Sequence, residues 1–116
     1  MAEAFRWYHQ AATLGHAKSI NIIGRFYEEG WVVTADFERA VDLYYTAAKK
    51  GDFRGQFNYA RILINAGHPD DALFWLDLIP ATATSQFTQD LYRWLKNTPQ
   101  PILHTWVERM LAPLIE

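Results

Sequence analysis

Residues 4–15 of this chain return 36 positions later as residues 40–51. Ala4, Tyr8, Ala11, Ala12 and Gly15 recur as Ala40, Tyr44, Ala47, Ala48 and Gly51. That spacing lines small and aromatic residues along one helical face, and the closing glycine falls where a helix ends in the left-handed conformation. A repeat of this length restricts the chain to an array of stacked units, because no unit buries its apolar face alone.

The stretch between the copies repeats as well. Ile20, Ile23, Gly24 and Tyr27 return as Gln56, Tyr59, Ala60 and Leu63, so each unit reads as a pair of helices. A third copy follows 32 positions further on, with Ala72, Leu73, Trp75 and Leu76 in the places of Ala40, Val41, Leu43 and Tyr44. The missing residues come from the connector: Gly30 to Asp36 is long, whereas Gly67 to Asp70 is a tight link with Pro69 at a first helical position. Pro80 to Thr84 breaks the pattern. Ser85 then reads as the N-cap of a helix carrying Phe87, Leu91, Trp94 and Leu95. A last helix places Ile102, Trp106, Val107, Met110 and Leu111 on one face and is expected to stop at Pro113. These patterns predict an all-α fold of about seven antiparallel helices, in one domain over residues 1–116 with residues 81–116 as a divergent capping pair.

The sequence Ile23-Gly24, Tyr27, Gly30, Val33, Asp36, Ala40, Tyr44, Ala47-Ala48 and Gly51 resembles the Sel-one-like repeat, a tetratricopeptide-related unit, over Ala2 to about Ile79. Val32 stands where that pattern has a second connector glycine. The resemblance implies a right-handed α-α superhelix, a tetratricopeptide-like solenoid, used as scaffold or adaptor, with no catalytic residues. The first helix of each pair would line the concave side. The element from Ala2 to Leu14 matches the second helix of a unit, so Phe5, Trp7 and Tyr8 are expected to be covered by further sequence or by self-association through this N-terminal helix.

Eleven Lys and Arg against thirteen Asp and Glu give a formal charge of −2, which lacks the basic excess that nucleic-acid phosphates require. No cysteine is present, so disulfides and thiolate chemistry are excluded. His9, His16, His68 and His104 are scattered without ligand spacing, and no metal or cofactor is expected. No apolar run is long enough to span a membrane and none forms a signal segment near Met1, which makes a cytoplasmic location the default expectation. Phosphate loops and serine-nucleophile elbows are missing from the sequence. The alternative to a binding module is a small helical enzyme using His104 and Glu108, four apart on one helical face. Of the tryptophans, Trp7, Trp75, Trp94 and Trp106 have core spacing, and Trp31 is the one expected to be partly exposed.

With Ile20, Ile23, Gly24 and Tyr27 assigned to packing, the groove side of the first complete unit carries Lys18, Asn21, Arg25, Glu28 and Glu29. In the next unit the equivalent positions are Arg54, Phe57, Arg61, Ile64 and Asn65. Phe53 to Ala66 contains two arginines and no acid, and extending the register reaches Arg93. Arg25, Arg61 and Arg93 therefore form an expected ladder of guanidinium groups. With Lys18, Asn21, Arg54 and Phe57, they are the candidate site for an acidic segment of a partner protein, in an adaptor, scaffold or inhibitor role. As solvated residues, these arginines are expected to be replaceable with folding nearly unchanged.

Overall fold

A computed structural model describes the chain from Met1 to residue 115, with side chains described as far as Pro113. Among the described residues there are seven α-helices and no strand. They are α1 (Ala2–Thr13), α2 (Ala17–Glu29), α3 (Phe37–Lys49), α4 (Phe53–Asn65), α5 (Pro69–Leu78), α6 (Ser85–Lys96) and α7 (Pro101–Ile115), and a 3-10 turn at Ile79–Ala81 follows α5. From α1 to α5 each helix packs on the next, and α2 also meets α4, as in an α-α superhelix.

Local chemistry sets most boundaries. The Asp36 carboxylate accepts from the Arg39 amide at 3.2 Å and Asp52 from the Gly55 amide at 2.8 Å, capping α3 and α4. The cap of α6 is Thr84, not Ser85: its backbone is extended and its hydroxyl accepts from the Phe87 amide at 3.1 Å. The expected stop at Pro113 is also corrected, since α7 continues to Ile115 with Pro113 inside it. So close to a helix end, proline removes only one ladder hydrogen bond.

The interior begins with Ile20, Ile23 and Phe26 of α2 against Ala40, Tyr44, Ala47 and Ala48 of α3, all buried. Gly24 permits this contact, because a Cβ there would lie 2.8 Å from the Tyr44 ring. A second cluster joins Ala60 and Ile64 of α4 to Leu76, Ile79, Leu91, Leu95, Leu103, Trp106 and Val107. Ile64, assigned above to the groove side, therefore belongs to the core. The Trp106 indole donates to the Asp77 carboxylate at 2.6 Å, tying α7 to α5 without leaving a buried N–H unpaired.

Helix α1 has no buried residue. Phe5 meets Phe26 edge-on at 5.3 Å, but Trp7 remains 65% exposed, contrary to its core-like spacing. Trp31 is half-buried, edge-on to Phe26 at 5.6 Å.

The connector between α2 and α3 turns through Gly30 at φ 73° and Val32 at φ 66° before the Asp36 amide returns to the Tyr27 carbonyl at 2.8 Å. Val32 thus holds the left-handed conformation at the position where the repeat pattern carries glycine. A β-branched residue is strained there, and its exposed side chain gains little packing. Val32→Gly is expected to stabilise the protein by roughly 1 kcal/mol, read as a rise of a few degrees in thermal melting. A lower melting temperature would show that the valine side chain matters more than the strain.

Candidate functional site

Asn21, Arg25 and Glu28 follow one another at i, i+4 and i+7 along α2, and Arg54, Phe57, Asn58 and Arg61 run along the facing side of α4. Together with Glu29, with Tyr44 from α3 and with Phe87 from α6, they line an open groove of about 440 Å³. Of the residues expected at a partner site, the fold brings Asn21, Arg25, Arg54, Phe57 and Arg61 into this groove. Lys18 and Arg93 are not among its lining residues. Arg93 is 72% exposed and pairs with Asp90 of its own helix at 3.3 Å.

A hydrogen-bonded chain occupies the middle of the groove. The Arg61 guanidinium donates Nη1 to Glu28 Oε2 at 3.0 Å and Nη2 to Glu28 Oε1 at 2.7 Å, the bidentate geometry that favours arginine. The Tyr44 hydroxyl donates to the same Oε1 at 2.6 Å from a fully buried ring. Arg61 also reaches the Asn58 side-chain carbonyl at 3.3 Å, and the Asn58 amide donates to Asn21 Oδ1 at 2.8 Å. The Arg61 hydrogen bonds hold the Glu28 carboxyl below its usual range, against the opposing effect of burial, with help from Tyr44 and from the charges of Arg61 and Arg25. Burial, followed by the hydrogen bond to Glu28, pushes the Tyr44 hydroxyl up.

Sequence reasoning read Arg61 as free because its own helix contains no acid. Its partner lies 33 positions away on α2, a pairing visible only once the helices are stacked. The groove arginines outside any ion pair are Arg25 and Arg54, neither of which pairs with a carboxylate among the described residues. Each rests on an aromatic face: Arg25 lies 5.2 Å from the Trp31 ring centroid and Arg54 4.3 Å from that of Phe53. Past Phe57 and Phe87 the groove meets a second concavity of about 320 Å³, formed with Asp90, Leu91 and Trp94.

The family model for the Sel1 repeat matches residues 1–16 and 17–52. Residues 1–52 are similar to Sel1 repeats. No curated protein and no solved structure matches it. Sel1 repeats typically serve as protein–protein interaction modules. The match covers the α2 wall of the groove and Tyr44, whereas Arg54, Phe57, Arg61 and Phe87 lie beyond the matched residues.

His104 directs Nε2 to the Thr98 carbonyl at 2.6 Å, which makes that nitrogen the donor, and no hydrogen bond joins it to Glu108 among the described residues. Among the described residues no three His, Asp or Glu side chains gather as metal ligands, and no helix is long and apolar enough to cross a membrane.

Proposed function

We propose that this Sel1-repeat chain is an adaptor, scaffold or inhibitor-type binding module that holds an acidic segment of a partner protein in the groove between α2 and α4. The observation that carries this reading is the pair Arg25 and Arg54, neither in an ion pair with a carboxylate among the described residues, flanking a Glu28–Arg61 pair that is already saturated. Aromatic faces hold both guanidinium groups, so less side-chain freedom is lost on binding. Helices α6 and α7 act in this reading as the divergent cap of a single repeat domain.

The test begins with the partner recovered by pull-down from the native host. Arg25→Glu and Arg54→Glu, combined in one protein, are expected to weaken its affinity by about a hundredfold and flatten its salt dependence, with the melting temperature little changed. Unchanged affinity and salt dependence in that variant would remove the groove from the binding site.

A further inference from the structure

The groove changes character along its length. On the α2 and α4 side it is polar and carries Arg25 and Arg54, together with Glu29 at its edge. On the α6 side it is aromatic: Phe87 stands edge-on to Phe57 at 5.7 Å, and Trp94 edge-on to Phe57 at 5.4 Å. The two concavities share Phe57 and Phe87, so a single extended segment crossing the helices from α2 through α4 to α6 meets both. Asp90 borders the aromatic end, where its carboxylate accepts from Gln86 at 3.0 Å and from Arg93 at 3.3 Å. A second acid there is disfavoured, which leaves the aromatic end to an uncharged side chain.

From this gradient, and resting on the groove reading above, we infer that the groove recognises a two-part peptide signal: an acidic residue against Arg25 and Arg54, and a bulky apolar side chain between Phe57, Phe87 and Trp94. The acid supplies charge-assisted hydrogen bonds at the wet end. The apolar side chain removes water from rings that are only half-buried in the free protein. Neither part suffices for a peptide acceptor, because each subsite is shallow and open.

The probe is a phage-displayed library of random linear peptides selected on the full-length protein, followed by fluorescence anisotropy with a labelled peptide from the selection. The expected result is enrichment of sequences that pair Asp or Glu with Phe, Leu, Ile or Trp at a fixed spacing. Within the selected peptide, changing the acid to its amide and changing the apolar residue to alanine should each weaken binding by about tenfold or more. Arg54→Glu should do the same and be partly rescued by a peptide carrying Lys in place of the acid. These peptide-side changes and the charge-swap rescue leave the aromatic packing intact, so a folding defect does not imitate the effect. Selected peptides that lack the acid–apolar pair but lose affinity with Arg25→Glu/Arg54→Glu would overturn the two-part signal and leave the groove reading standing. Absence of enrichment, or binding that no groove substitution alters, would overturn both.

Discussion

Replacing Gly55 with valine is expected to lower the unfolding free energy by about 3 kcal/mol or more, a large fraction of the stability of a domain this size. Gly55 sits in the first turn of α4 where that helix crosses the end of α3. A Cβ at this position would fall 2.7 Å from the Ala47 Cβ, 2.9 Å from the Ala48 amide nitrogen and 3.1 Å from the Ala47 carbonyl carbon. Two of those atoms are backbone, so no rotamer change relieves the overlap and the helices must separate. Alanine tests the balance more finely: its helix propensity favours it over glycine by about 1 kcal/mol, and overpacking costs about 1–3 kcal/mol. A net loss is therefore expected for Gly55→Ala, smaller than for valine. Ala47→Gly in the same molecule should restore part of it by removing the closest contact. Because α4 carries Arg61 and α2 carries Glu28, moving α4 should also loosen the pair across the groove, seen as faster exchange of the Glu28 and Arg61 side-chain signals in NMR. Melting curves for Gly55→Ala that lie above the unsubstituted protein would refute the close approach.

Gly55 also marks how far the fold was legible in the sequence. The 36-residue period gave the helix pairs and the Ala47-Ala48 face, since those features recur at helical spacing. Gly55 itself is Ser19 in the preceding unit, so nothing in the repeat identified it as the tightest crossing. Gln56 replaces Ile20 and is nonetheless buried, with its Nε2 donating to the Ala48 carbonyl at 3.3 Å. A polar residue at a core position is visible in the sequence, but its partner is not. Register arguments within the continuous repeat put Asn21, Arg25, Arg54, Phe57 and Arg61 along the groove, although Ile64 is buried in the core and Lys18 does not line it. The register is lost at the 3-10 turn Ile79–Ala81, beyond which Arg93 pairs with Asp90 of α6 instead of lining the groove beside Arg61. The groove wall on α2 and α4 followed from periodicity, whereas its internal electrostatics depended on which helices meet, which no local pattern encodes.

Removing the Glu28 carboxylate gives the second large effect and alters the expectation that the groove arginines are free of structural duty. Glu28 and Arg61 side chains are only 19% and 23% exposed, and Tyr44 is fully buried. Glu28→Ala leaves the Arg61 guanidinium and the Tyr44 hydroxyl without their shared acceptor, which should cost about 2–3 kcal/mol. Glu28→Gln keeps an acceptor and should cost about 1 kcal/mol. Arg61→Ala is expected to be destabilising rather than neutral, because it strands the carboxylate, while Glu28→Met with Arg61→Met should recover part of the loss by removing both charges together. The pH dependence follows from the direction of the Glu28 shift. Its carboxyl sits below the ordinary 4.5 in the folded protein, so the folded state binds the proton less readily than the unfolded chain. The contribution is therefore fully present above the ordinary carboxylate range and disappears as the pH falls through the lowered folded-state value. The stability difference between the unsubstituted protein and Glu28→Gln should be constant from neutral pH down to the carboxylate range and shrink below it, as measured by urea unfolding at a series of pH values. A difference that stays constant into strong acid would mean that Glu28 gains nothing from ionisation in the fold. The groove would then be held by packing alone, with Arg61 joining Arg25 and Arg54 as a cation available to an acidic ligand.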